Sequence, residues 1–148
     1  MKCIGCDLEK GKIKSEMVFE TKNFSVRQDY EIPIPGFIII SSKKHIKGIE
    51  DLNEDERKEF IEVMYKVRKV MTEVLDIKYV YIVQKEDSII ARSHFHIWLV
   101  PRYKWMERFG GKIASITNIA EYAKENMKTD ENLAKIKEIA LRIKEKLN

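Results

Sequence analysis

The sequence predicts an α+β fold: an antiparallel sheet of about five strands with one long central helix and extra C-terminal helices. Three observations predict it. Short runs of β-branched and aromatic residues alternate with polar turns on both sides of one long segment. That segment, after Asn53, repeats its apolar residues at helical spacing. Beyond Gly110-Gly111 the pattern is helical to the end of the chain.

Taken in order, residues 17–19, 24–26 and 37–41 read as strands. The third follows Pro33-Ile34-Pro35-Gly36, where two prolines fix an extended approach and glycine permits the turn into the strand. Asn53 is a good N-cap with Glu56 three residues on. Phe60, Val63, Met64, Val67, Val70, Met71 and Val74 then follow the i, i+3, i+4, i+7 spacing of an amphipathic helix. Residues 78–84 and 94–100 read as two more strands joined by the polar stretch 85–88, and Pro101 ends the second. Residues 115–127 and 129–147 look helical, the last with Leu133, Ile136, Ala140, Ile143 and Leu147 on one stripe that needs a partner surface. With no repeat and no linker, the 148 residues read as a single domain, a core over 1–105 and a helical extension over 113–148.

A chain that is 44% hydrophobic and 35% charged is composed like a soluble globular protein, which excludes the disordered and membrane classes. Its longest apolar stretch, residues 37–40, falls far below the roughly 20 residues that cross a bilayer. It opens on Met-Lys-Cys instead of a signal peptide, so the expected compartment is the cytosol, without a membrane partner. In that setting the glycosylation sequon Asn23-Phe24-Ser25 is accidental. The net charge of +4, from 28 basic against 24 acidic residues, mildly favours anionic ligands but falls short of a nucleic-acid-coating surface.

Two of the three histidines lie two apart in His94-Phe95-His96-Ile97-Trp98-Leu99-Val100. Period two puts His94, His96 and Trp98 on one face of the strand and Phe95, Ile97 and Leu99 on the other, where the long helix can cover them. A lone strand histidine is usually an ordinary hydrogen-bonded residue. Two aligned with an indole suit metal binding or nucleophilic attack by a neutral ring nitrogen.

The only cysteines form Cys3-x-x-Cys6. They read as two free thiols, as a redox pair, or as half of a zinc site. A redox pair needs a preceding strand and a helix N-terminus to depress the thiol pKa. A structural zinc needs four N or S ligands, and His45 and His94 could fill the two remaining places; the distance from Cys6 to His45 excludes a zinc finger. Gly110-Gly111-Lys112 fails as a phosphate loop, because the earlier glycine would fall at Met106 and the hydroxyl residue at Ile113. Glu54-Asp55-Glu56 belongs to the first helical turn, where acidic residues meet the positive end of the dipole.

Residues 94–102 resemble the signature of the histidine triad (HIT) family, His-φ-His-φ-His-φ-φ followed by Pro-Arg. Cys3-x-x-Cys6 matches the zinc pair at the start of many members, and residues 35–46 resemble the family's Pro-Gly-His stretch that ends in Lys-x-His, so the likeness covers 3–102. It implies an antiparallel sheet with two helices, a homodimer across a continuous sheet, and a nucleotide substrate whose nucleoside monophosphate is cleaved or transferred. His96 falls on the residue that attacks the α-phosphate to form a nucleotidyl-histidine. His94 falls on a ligand of structural zinc, with Cys3, Cys6 and His45. Asp29, sixteen residues before His45, falls on the carboxylate that binds the ribose hydroxyls, although it also reads as a turn aspartate.

Two departures stand out. The third signature position is Trp98, whose indole donates a hydrogen bond but cannot titrate. The Gly-Gln-Ser/Thr that usually precedes the signature is replaced by Ile89-Ile90-Ala91. Gln84 is then the first candidate for phosphate contact, after a one-residue shift, with Ser88 and Ser93 behind it. The resemblance implies a hydrolase of dinucleoside polyphosphates or nucleoside phosphoramidates, alternatively a nucleotidyl transferase or phosphorylase, or a nucleotide-binding protein whose catalysis has decayed.

Overall fold

The structure, a computed structural model, describes residues 3–86 and 94–148. Its ordered elements are α1 (Ile4–Glu9), β1 (Met17–Glu20), β2 (Phe24–Gln28), β3 (Ile38–Ser42), α2 (Glu54–Leu75), β4 (Val80–Gln84), β5 (His96–Pro101), α3 (Ala114–Asn126) and α4 (Asp130–Leu147). Two 3₁₀ segments, Ile49–Asp51 and Lys104–Phe109, join them. The strands form one antiparallel sheet in the order β1-β2-β3-β5-β4, as the α+β reading expects.

Two details differ from expectation. The last strand starts at His96, so His94 and Phe95 form its lead-in, still tied to the sheet by Ser42 N–H donating to the Phe95 carbonyl at 3.2 Å. Helix α1 is new: six residues give too little length for an apolar period, and its N-cap is the Cys3 sulfur, which accepts from Cys6 N–H.

Cross-strand register sorts the sheet into two faces. On the first, Val26, Ile40 and Ile97 lie in one row and Ile38 and Leu99 in the next. Helix α2 covers these with Phe60, Val63, Val67, Val70 and Met71. It starts where the capping box predicts, Asn53 and Glu56 each accepting the other's backbone N–H at 2.9 Å, a pairing that stabilises a helix start by about 1 kcal/mol. The stripe of α4 joins this core through Ile136's neighbours Ile139, Ala140 and Ile143, and the helix packs on α2 and β1.

The second face is divided. At one end α3 buries Ile116, Ile119, Ala120 and Ala123 against Ile32, Ile34, Phe37, Val100 and Met106. At the other end α1 lies over Ser25 and Ser41. The bend before β3 shapes the gap between them: Gln28, fully buried, donates to the Ile34 carbonyl at 3.0 Å and accepts from Gly36 N–H at 2.9 Å. Gly36 has φ +75°, a backbone conformation that favours glycine, and a Cβ there would also displace the end of the Leu75 side chain, 2.6 Å away.

Candidate functional site

Beside α1 a cleft of about 560 Å³ opens over the second face of the sheet. Ile4 and Leu8 of α1 form one wall, and Arg27, Ile39, His96 and Trp98 belong to the strands beneath. His94, His96 and Trp98 all line it, on the face away from α2, as strand alternation requires.

His96 Nδ1 lies 2.7 Å from the His94 carbonyl oxygen. Only an N–H can make that contact, so in the neutral ring Nδ1 carries the proton and Nε2 keeps its lone pair. That is the nitrogen a nucleophilic imidazole must present. Trp98 stands beside it with ring centroids 6.1 Å apart and meets Phe37 edge-on at 5.6 Å and 68°. The indole is thus held as a half-buried wall between His96 and the second core.

His94 is held by a different partner. Its Nε2 donates to the Ser42 carbonyl at 2.7 Å, which leaves the Nδ1 lone pair toward the cysteines. Cys3 Sγ is 3.4 Å from His45 Nδ1 and 3.5 Å from His94 Nδ1; for Cys6 Sγ the distances are 3.3 and 3.6 Å. The four ligand atoms of Cys3, Cys6, His45 and His94 all lie within 4.8 Å of one another. A tetrahedral ion with metal–sulfur bonds of about 2.3 Å and metal–nitrogen bonds of about 2.0–2.1 Å sets sulfur–nitrogen edges of about 3.6 Å, so the donor set fits a metal. Burial pushes the His94 imidazole below its usual range, which keeps it neutral as a ligand must be. Burial raises the Cys6 thiol, and the adjacent Cys3 sulfur raises it further; a cation between the sulfurs would reverse that balance.

Asp29 is buried and lines the cleft at the end of β2. Its Oδ1 accepts from Glu31 N–H at 2.7 Å and Ile32 N–H at 2.6 Å, the bonds of a turn aspartate. Among the described residues Oδ2 accepts no hydrogen bond. Burial raises the carboxyl above its usual value, outweighing the opposing hydrogen bonds from Ile32 and Glu31.

Gln84 is not brought to the cleft. It pairs in register with Ile97, which puts its side chain on the α2 side, where its amide donates to Glu86 Oε1 at 2.5 Å. Its neighbours Val83 and Lys85 line the cleft instead. Ser88, Ser93 and Ile89-Ile90-Ala91 lie outside the described residues. Sequence reasoning missed Glu9 and Arg27, which meet under α1. Glu9 accepts from Ser25 Oγ at 2.8 Å and Ser41 Oγ at 3.3 Å, and its Oε1 lies 3.6 Å from Arg27 Nη2. The available signal was the alternation Phe24-Ser25-Val26-Arg27, which assigns Ser25 and Arg27 to the cleft face.

The family model of the HIT domain matches residues 10–105, a span that holds Asp29, His45, His94, His96 and Trp98 and starts after the cysteines. A galactose-1-phosphate uridylyltransferase of Thermotoga maritima is 23% identical over 117 residues. That alignment covers 71% of this chain but only 37% of the relative, so the chain spans well under half of its length. A hypothetical histidine triad nucleotide-binding protein from Sulfolobus tokodaii has the same fold, with TM-score 0.72 and 17% identity over 98% of this chain and 91% of that one. A Zn-bound histidine triad family protein from Mycobacterium smegmatis matches with TM-score 0.68 and 16% identity, over 98% and 95% of the two chains.

Proposed function

The chain belongs to the HIT domain family, and on that premise we propose that it is a nucleotide-binding enzyme that cleaves nucleoside-phosphate derivatives through a nucleotidyl-His96 intermediate. The observation that carries this reading is the 2.7 Å contact of His96 Nδ1 with the His94 carbonyl, which leaves the neutral ring of this cleft residue its Nε2 lone pair.

Nε2 attacks the α-phosphorus of a dinucleoside polyphosphate or nucleoside phosphoramidate. A P–N bond to His96 forms as the bond to the leaving group breaks, and the leaving group departs with its electron pair. Water then attacks the same phosphorus, releasing the nucleoside monophosphate and returning the lone pair to Nε2. Asp29 Oδ2 receives the ribose hydroxyls while Oδ1 keeps the turn closed. Cys3, Cys6, His45 and His94 would hold zinc, as their spacing fits and as a similar structure is Zn-bound. Zinc there supplies a structural cross-link between the N-terminus and the sheet. A second copy of the chain pairs along β4, the edge of the sheet among the described residues, where Tyr79 and Ile82 are exposed. No helix among the described residues is long and apolar enough to cross a membrane.

Two alternatives have particular support. The similarity to a uridylyltransferase favours transfer of the nucleotidyl group to a phosphate acceptor over hydrolysis. Trp98, which cannot titrate, favours a binding protein with decayed catalysis. Incubation with diadenosine tetraphosphate and with adenosine phosphoramidate, with and without inorganic phosphate, separates the three. The expected result is released AMP and, after an acid-free quench, an AMP adduct by intact mass that is absent from His96→Ala. Full turnover by His96→Ala would refute the mechanism, and binding without turnover would support the decayed reading.

A further inference from the structure

The cleft crosses the sheet strand by strand. Asp29 directly follows β2, Ile39 belongs to β3, His96 to β5, and Lys85 directly follows β4, and all four line the cleft. Because the strands lie in the order β2-β3-β5-β4, His96 stands between Asp29 and Lys85. Val83 pairs with Trp98 and lines the cleft, and Lys85, two residues on, shares its face. Gln84 pairs with Ile97, so the next step of that register carries Lys85 level with His96, one strand spacing of about 4.8 Å away. Charge singles out the same residue. Apart from its histidines, the cleft is lined among the described residues by two basic side chains, Arg27 and Lys85, and two acidic ones, Asp29 and Glu31. Arg27 is buried and held by Ser15 and Glu9, whereas Lys85 is exposed and within reach of a ligand.

We propose that Lys85 forms the subsite for the leaving group, its ammonium donating to the phosphate that follows the α-phosphate, so that the preferred substrate is a nucleotide whose leaving group is itself a phosphate chain. This deepens the nucleotide reading above and rests on it. With the ribose on Asp29 and the α-phosphorus at His96, the remaining phosphates run on toward β4. An ammonium on a flexible stem, with three rotatable donors, suits oxygens whose positions vary along such a chain. As the P–O bond to the α-phosphorus breaks, its electron pair stays on the departing phosphate. Lys85 keeps its own proton and stabilises the charge that develops there. A charge-assisted hydrogen bond of this kind strengthens binding by about tenfold to a hundredfold.

The test is calorimetric titration of the metal-loaded wild-type chain, Lys85→Met and Lys85→Arg, in magnesium-free buffer, with AMP and with the ADP and ATP analogues whose α and β phosphorus atoms are joined by an uncleavable methylene bridge. Wild type is expected to bind both analogues at least about tenfold more tightly than AMP. That advantage should shrink as salt is raised, because the ammonium is exposed. Lys85→Met is expected to level the three ligands while changing AMP affinity by less than about twofold, and Lys85→Arg, still a cation, to keep most of the advantage. AMP binding as tightly as the analogues in wild type overturns the proposal even if a variant fails to fold. So does a wild-type ratio in Lys85→Met, or an equal loss of all three affinities there, which is what a merely structural role would give. Binding of AMP without any gain from the added phosphates overturns the Lys85 subsite alone, whereas binding of none by wild type overturns the nucleotide reading with it.

Discussion

The backbone of Gly5 lies flat against the His94 imidazole: a Cβ on residue 5 would stand 2.3 Å from His94 Cγ and 2.7 Å from its Nδ1. The ring cannot retreat, because its Nε2 is bonded to the Ser42 carbonyl and it is buried. Gly5→Ala must therefore push α1 off the sheet or turn Nδ1 away from the cysteines. The expected cost is about 1–3 kcal/mol of stability, as for other overpacked sites. Bound zinc, measured by metal analysis after dialysis, should fall well below one per chain, with a lower melting temperature. Full metal content in Gly5→Ala would mean that His94 is not a ligand.

Asp29→Asn separates the two roles that meet on that carboxyl. The amide oxygen can still accept from Glu31 and Ile32, so the turn survives. Burial raises the folded-state pKa of Asp29 above the unfolded value, so its favourable contribution is complete below the unfolded pKa and is lost as pH rises through the folded one. At neutral pH the buried carboxylate therefore costs stability that asparagine does not. Denaturant melts should find Asp29→Asn at least as stable as wild type at pH 7, with the difference closing toward pH 4. Nucleotide affinity should nevertheless drop by about tenfold, the effect of losing a charged acceptor for the ribose hydroxyls. Unchanged affinity would leave Asp29 with the turn alone.

How far the sequence could be read depended on how many residues carried each pattern. The stripe from Phe60 to Val74 runs through a 22-residue helix, long enough for its period to be unambiguous. Strand alternation from His94 to Trp98 assigned both faces of β5 correctly, because its inward residues Phe95, Ile97 and Leu99 are all large and apolar. Helix α1 has no such length, and what ties it down is side chains from β2 and β3 that sequence cannot bring near it. Arg27 was illegible for a related reason: an arginine in a strand reads as solvated until Glu9 is found above it. Gln84 shows the limit of a motif match by one-residue shift, since in a strand that shift exchanges the two faces.

Ile82 tests the proposed pairing of two chains. It is 49% exposed on β4, which ends the sheet, and Tyr79 just before that strand is 63% exposed. An edge with apolar side chains is a template for a partner strand, and a charge placed on it blocks pairing. Light scattering after size exclusion should give twice the chain mass for wild type and the single-chain mass for Ile82→Lys. The variant's fold and metal site should be unaffected, since residue 82 faces neither the cleft nor the cysteines. A monomeric wild type at micromolar concentration would refute the pairing.

On the proposed mechanism, Trp98 sets which leaving groups the cleft can release. An indole can donate one hydrogen bond but has no proton to give at accessible pH. A polyphosphate leaves as a stable anion and needs no proton, whereas the amine of a phosphoramidate must be protonated as its P–N bond breaks. Wild type should therefore turn over diadenosine tetraphosphate faster than adenosine phosphoramidate. Trp98→His restores an acid beside His96, at the 6.1 Å ring separation now filled by the indole. It should raise phosphoramidate cleavage by about 10²-fold or more relative to the polyphosphate, the ordinary yield of a positioned general acid. That gain should fade above neutral pH as the new imidazole loses its proton. Trp98→Phe keeps the packing on Phe37 but no donor, so polyphosphate turnover should persist if the indole serves as a wall. If Trp98→His left the ratio of the two substrates where it stands in wild type, leaving-group protonation would have to come from elsewhere in the cleft, and Trp98 would have no part in substrate choice.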